Sequence, residues 1–208
     1  MKYKKYFRKT SLKQKNIGEL FLNIVEEKNP KTFLEIGVFH GVTARNVCEL
    51  MYKNHNKDFS YIGIDIFDTS DVYANEVVPT KTFRNPLKNF YFKYIKRQNP
   101  YSLNAVKELL SKFKKNITLI KGDSNQILRN IDIRNVDFIF IDGGHEYNTV
   151  KNDLEQSYKI ISKNGTILCD DLNLSQALGV RRAIKEFSQE KNIKFEIVHE
   201  RFAQFNLN

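Results

Sequence analysis

VDFIFIDGGHEYNTVKNDL, residues 136–154, carries the clearest architectural signal in the chain. Between Val136 and Ile141 every residue but Asp137 is apolar, which suits a strand buried on both faces. The run ends at Asp142, two glycines turn the chain, and the apolar period then changes. Over residues 148–162, Val150, Leu154, Tyr158 and Ile161 fall along one helical stripe. A buried strand turning into a helix is the repeating unit of a parallel sheet covered by helices.

The same unit recurs on either side. TFLEIG (32–37) is an apolar run ending in glycine, followed by helical spacing over 43–52 and by a second buried run, YIGID (61–65). NITLI (116–120) and the short helix SNQILRNI (124–131) come next, and TILCD (166–170) follows Gly165, which is expected to break the chain ahead of that strand. A helix is expected near 176–190. KFEIVHE (194–200) and FAQFNLN (202–208) then lie too close together for a crossover helix, so they should pair as an antiparallel hairpin. Ahead of all this, IGELFLNIVEEK (17–28) has a helical apolar face and stops at Asn29-Pro30, because the residue before proline avoids the helical region. Residues 66–101 read as irregular, and helical spacing returns at Val106, Leu109, Leu110 and Phe113.

A chain of 208 residues fits one domain, 1–208, made of a basic N-terminal extension and helix (1–30), the α/β body, and an insert at 66–101. Cys48 and Cys169 each sit in an apolar run and are expected to be buried thiols. With two isolated thiols and no secretory signal, a cytoplasmic location is expected. No apolar run reaches the ~18 residues of a membrane span. The formal charge of +10 would attract anionic partners, but no basic-aromatic nucleic-acid motif accompanies it.

In open α/β sheets ligands bind beyond the carboxyl ends of the strands, so the strand ends are where function is expected. The first strand ends in Glu35-Ile36-Gly37-Val38-Phe39-His40-Gly41, either a plain turn or a loop that brings backbone close to a ligand at a helix N-terminus. The second ends at Asp65, a place where a carboxylate commonly takes ribose hydroxyls. The third leads to Asp123-Ser124, where Asp123 either caps a helix or accepts from an exocyclic amine; the two roles are compatible. The fourth and fifth end in Asp142 and in Asp170-Asp171. Carboxylates crowded at adjacent strand ends are costly without a cation, and an oxygen-only set suits Mg²⁺ or another divalent ion. His145, three residues past Asp142 in a loop, is a candidate general base.

These residues resemble a known family. FLEIGVFHGVTA, YIGID, IKGDS, FIFIDGGHEYNTVKNDL and GTILCDD are similar to class I methyltransferases, specifically the bacterial methyltransferase domain family 24, akin to macrolide sugar O-methyltransferases. The resemblance runs from about Thr32 to the C-terminus. It implies a Rossmann-like α/β fold: a mostly parallel seven-stranded sheet with helices on both faces and a C-terminal antiparallel hairpin. It also implies S-adenosyl-L-methionine as donor, with Glu35, Gly37 and Gly41 at its methionine end, Asp65 at the ribose, and Asp123 and Ser124 beside the adenine. Asp142, bordering the donor, would join Asp170 and Asp171 as metal ligands, and His145 would be the catalytic base. The catechol-type relatives carry lysine where His145 stands, which aligns this chain with the sugar-modifying branch. Phe39 departs from the pattern by replacing the middle glycine of the first loop.

The expected activity is metal-assisted O-methylation of a hydroxylated small molecule such as a sugar or glycosylated metabolite. The alternatives are an N- or RNA methyltransferase and a non-catalytic donor-binding protein. Residues 66–101 are expected to act as a lid over the acceptor or as a subunit contact, and the sequence leaves a homo-oligomer open.

Overall fold

The computed structural model describes residues 1–67, 83–175 and 177–207. In chain order the elements are α1 (Lys15–Lys28), β1 (Thr32–Ile36), α2 (Val42–His55), β2 (Ser60–Asp65), α3 (Pro86–Phe90), α4 (Leu103–Leu109), β3 (Ile117–Lys121), α5 (Ser124–Asn130), β4 (Val136–Ile141), α6 (Tyr147–Ile160), β5 (Ile161–Cys169), α7 (Leu178–Lys191), β6 (Glu196–Val198) and β7 (Phe202–Asn206). They build a seven-stranded sheet in the order β3-β2-β1-β4-β5-β7-β6. Its first five strands are parallel, and β7 runs antiparallel to both β5 and β6. This is the Rossmann-like methyltransferase architecture, hairpin included.

Strand alternation sorts the core into two chemically different layers. Phe33, Tyr61, Phe138 and Phe140 point to one face, where they meet Phe21, Val25, Val47 and Met51 of α1 and α2. Phe33 and Phe138 stack with ring centroids 5.1 Å apart, one cross-strand pair of an aromatic layer. Leu34, Ile36, Ile139, Ile141 and Ile167 point the other way, against Val150, Leu154, Ile184 and Phe187 of α6 and α7. Both layers are buried, and a sheet covered on both faces leaves ligands only its strand ends. Cys48 and Cys169 are buried within these layers.

Two sequence expectations need correction. Part of the 66–101 stretch is helical: Asn85 caps α3 through its side chain, with Pro86 at the first position, and a π-helical turn (Tyr91–Ile95) continues it. Phe83, Phe92 and Tyr101 of this stretch are buried. Its residues 68–82, part of the expected lid, lie outside the described residues. Gly165 does not break β5, which runs through it from Ile161. The register against β4 shifts here, so that Val136 faces Ile161 but Phe138 faces Thr166. Ile161 folds over the space a side chain at 165 would need, with its Cγ1 2.6 Å from that Cβ position. Glycine therefore marks an irregularity inside the strand. Among the described residues, no helix is long and apolar enough to cross a membrane.

Candidate active site

Backbone hydrogen bonds continue the parallel ladders one residue past the strands. Gly37 N donates to Ile64 O (2.9 Å), Asp142 N to Ile36 O (2.8 Å), Asp170 N to Ile141 O (2.9 Å) and Gly122 N to Asp65 O (3.0 Å). The four loops that leave β1, β4, β5 and β3 are thus held side by side. Gly37 is required here: its φ is +93°, and a Cβ would lie 2.0 Å from the Asp142 carbonyl oxygen. Above the loops opens a cavity of about 1430 Å³. Its lining includes Glu35, Gly37, Asp65, Asp123, Ser124, Asp142, His145 and Asp171. That volume exceeds the usual range for one small ligand and leaves room for two. Gly41 begins α2 at φ +73° beside Val106 and is buried at the same loop.

Phe39, standing where a glycine was expected, adopts the left-handed conformation that glycine would (φ 51°). Asp65 explains how a bulky residue is held there. Its Oδ2 accepts from Phe39 N (2.7 Å), and its Oδ1 accepts from Phe67 N (2.8 Å) and from the Tyr101 hydroxyl (2.8 Å). Phe67 also has positive φ (36°), so one carboxylate pins both strained residues. Burial pushes the Asp65 carboxyl up against the pull of these donors. Asp123 caps α5 by accepting from Asn125 N (2.9 Å), while still lining the cavity. The capping and ligand-facing alternatives therefore remain compatible.

Glu35 is buried at the end of β1 and accepts from the Tyr61 hydroxyl (2.5 Å). Desolvation raises its pKa to about 8; the Tyr61 bond opposes this and nearby Asp65 adds to it. A carboxyl whose folded pKa exceeds its unfolded value of 4.5 binds more protons in the native state. Its burial therefore costs stability progressively as pH rises from about 4.5 to 8, and fully above. Glu35→Gln is expected to stabilise the unliganded protein at pH 9 by roughly 2–4 kcal/mol, with the gain disappearing below pH 4.5. Thermal melts of both proteins across that range check it; an advantage independent of pH would contradict it.

Asp142, Asp170 and Asp171 come together at the ends of β4 and β5, each offering an oxygen within 4.8 Å of the others. Burial, reinforced by the charges of Asp170 and Asp171, pushes the Asp142 carboxyl well up. Two further side chains that the sequence did not single out meet this cluster, and a third, Tyr101, meets Asp65. Arg201, in the turn between β6 and β7, grips both Asp170 oxygens through Nε and Nη2 (2.5 Å each) and lies 3.7 Å from Asp171 Oδ1. Ser11, from the N-terminal extension, donates to Asp142 Oδ2 (2.6 Å). Tyr101 reaches Asp65 as described. Arg201 had a signal: buried carboxylates at adjacent strands call for a counter-charge, and the hairpin turn is the neighbouring loop.

His145 Nε2 lies 3.0 Å from Asp171 Oδ2. With Nε2 as the donor in this contact, Nδ1 is the ring nitrogen that carries the lone pair. The backbone at His145 is held by α7, since a Cβ on Gly179 would come within 2.8 Å of the His145 carbonyl oxygen. His40, by contrast, is buried, and its Nδ1 accepts from Lys9 N (3.3 Å). Desolvation and the cations Arg8, Lys9 and Lys88 lower its pKa to about 3, so it stays neutral.

The donor set suits a divalent ion. Three carboxylates share one guanidinium, the crowding that pushes Asp142 up is what a cation would relieve, and all the donors are oxygens.

Comparison with known proteins agrees with this architecture. A family model described as a methyltransferase domain matches residues 34–172, and the chain belongs to that family. An uncharacterised protein of Acanthamoeba polyphaga mimivirus is 31% identical over 146 residues, covering 70% of this chain and 53% of that protein. The chain thus spans about half the length of that curated relative. Among solved structures, the O-methyltransferase NovP superposes with a TM-score of 0.65 at 14% identity, covering 92% of this chain and 81% of NovP. The calicheamicin methyltransferase CalS11 gives 0.64 at 16%, covering 94% and 80%. The SAH-bound Podospora anserina methyltransferase PaMTH1 gives 0.62 at 16%, covering 94% and 79%. At such identities the likeness is one of fold.

Proposed function

We propose that the protein transfers the methyl group of S-adenosylmethionine to a hydroxyl oxygen of a small molecule, with a divalent cation such as Mg²⁺ bound at Asp142, Asp170 and Asp171. The observation that carries this reading is the cluster of three carboxylates beside His145, opening on a cavity large enough for donor and acceptor together. The family membership supports the donor, and neighbours whose names denote O-methyltransferases support oxygen as the acceptor atom. A sugar acceptor accords with CalS11, described as a TDP-rhamnose 3'-O-methyltransferase.

In this reading Glu35 and the Gly37–Gly41 loop hold the methionine end of the donor, and Asp123 and Ser124 border the adenine. Asp65 accepts from the ribose hydroxyls beside the donors that already hold its carboxylate. Asp142 and Asp171 would each offer the ion a carboxylate oxygen, while Asp170 shares its oxygens with Arg201. A bound divalent ion supplies Lewis acidity to the acceptor hydroxyl. Nδ1 of His145 removes the hydroxyl proton as the C–O bond forms and the methyl–sulfur bond breaks, leaving S-adenosylhomocysteine. Asp171 keeps the imidazole in the tautomer that this needs and steadies the imidazolium that results.

Calorimetric titration with S-adenosylhomocysteine tests the donor. Wild type should bind, and Asp65→Ala should bind more weakly by ~1–3 kcal/mol, roughly 5- to 150-fold. Because Asp65 also pins Phe39 and Phe67, Asp65→Asn serves as the milder control, keeping an acceptor for one of them. No binding by the folded wild type would overturn the donor assignment; unchanged affinity in Asp65→Ala would remove Asp65 from it.

A further inference from the structure

Each of the three clustered carboxylates meets a side-chain donor. Arg201 grips Asp170, His145 Nε2 contacts Asp171 Oδ2, and Ser11 Oγ donates to Asp142 Oδ2 at 2.6 Å. Arg201 and His145 belong to loops that leave the sheet close to the carboxylates they meet. Ser11 has a different origin. It precedes Asp142 by 131 positions and lies ahead of residues 34–172, the stretch that the methyltransferase family model matches. The N-terminal extension, not a strand end, brings it to the site.

That extension is seated so as to aim Ser11. Lys4 and Asn46 of α2 exchange two bonds, Lys4 N to Asn46 Oδ1 (2.9 Å) and Asn46 Nδ2 to the Lys4 carbonyl (2.8 Å). The Tyr3 hydroxyl lies 2.8 Å from Thr43 Oγ1, in the first turn of α2, and 2.9 Å from Thr10 Oγ1. Thr10 Oγ1 also accepts from Leu12 N (3.2 Å). The Leu12 side chain is fully buried in the core layer that includes α1 and α2. Further back, Arg8 donates to the Pro100 and Ala105 carbonyls (3.0 Å each). Both chain neighbours of Ser11 are therefore anchored, Thr10 through its hydroxyl and Leu12 through its amide and its burial. A serine between two anchored residues has already lost most of its backbone freedom, so its bond to Asp142 costs little further ordering.

We infer that Ser11 is a positioning residue of the metal site: its hydroxyl sets the orientation in which the Asp142 carboxylate meets the ion. The inference rests on the divalent-ion reading and adds to it a residue from outside the strand ends. A hydroxyl bonded to one oxygen fixes the plane of the carboxylate, and with it the place of the other oxygen. Being neutral, it does so without cancelling the charge that attracts the ion. Side chains that orient metal ligands in this way typically carry about 10- to 100-fold in metal affinity.

The test is titration of Mn²⁺, followed by the loss of its free-ion electron paramagnetic resonance signal, into S-adenosylhomocysteine-loaded wild type, Ser11→Ala and Ser11→Thr. Ser11 is itself exposed, so the added methyl of threonine has room. Ser11→Ala is expected to bind Mn²⁺ about 10-fold more weakly, with S-adenosylhomocysteine affinity unchanged within about twofold. Ser11→Thr, which keeps the hydroxyl, should restore most of the loss. Equal Mn²⁺ affinity in Ser11→Ala would overturn the inference. So would a loss that threonine does not restore, or one that S-adenosylhomocysteine affinity shares, since that would make Ser11 a general structural contact. Failure of wild type to bind Mn²⁺ would instead overturn the metal reading beneath it.

Discussion

His145→Ala is expected to slow turnover by roughly 10²–10⁴ while leaving donor affinity and folding intact, the usual loss for a positioned general base. Its imidazole is 40% exposed, so truncation removes little packing. The backbone that carries it stays clamped beneath Gly179, so the loop keeps its course. Lost with the ring is the acceptor nitrogen Nδ1, aimed by the Nε2 contact to Asp171. An aliphatic hydroxyl is then left to ionise into solvent, and the residual rate should climb with pH as hydroxide takes over. Product formation by mass spectrometry across a pH series, with the acceptor that wild type uses, reads both effects. An active variant with the wild-type pH profile would take the base role from His145.

Removing divalent ions is expected to abolish turnover, and Mg²⁺ to restore it. The cluster supplies the reason: a divalent ion would offset the mutual repulsion of three crowded carboxylates that share only Arg201. Asp171→Ala should need much more Mg²⁺ to reach half-maximal rate, because it deletes a proposed oxygen ligand and the partner of His145 together. Asp171→Asn should be milder, since a carbonyl oxygen still coordinates and still accepts from Nε2. Donor affinity should survive chelation, because the donor contacts proposed for Glu35, Asp65 and Asp123 do not involve the ion. Full activity in EDTA would refute metal assistance.

Most of the sheet was legible because its strands are continuous apolar runs. VDFIFI and YIGID have no other economical place than between two helical layers, and the short gap before FAQFNLN permitted only a hairpin. Candidate residues at strand ends were legible for the same reason, since the topology alone puts Asp65, Asp142 and Asp170 on one edge. What escaped were partners delivered from afar. Ser11 reaches Asp142 across 131 positions, and Arg8 reaches the Ala105 carbonyl across 97; no local period encodes such contacts. Arg201 looked like a turn residue because its role depends on β7 lying beside β5. Phe39 read as a departure from a glycine pattern, yet the compensation sat in a residue already flagged, Asp65, whose carboxylate holds the loop amide. Gly165 misled because a glycine that ends a strand and one that permits an irregularity inside it look alike in sequence.

The claim on which the rest turns is that Asp142, Asp170 and Asp171 seat a divalent ion beside the bound donor. Titration of Mn²⁺ into the S-adenosylhomocysteine-loaded protein, followed by the loss of the free-ion electron paramagnetic resonance signal, measures this without knowledge of the acceptor. One ion bound per chain in wild type, weakened at least ~10-fold in Asp171→Ala, is the predicted result. No bound ion in wild type, or equal binding by Asp171→Ala, would contradict it.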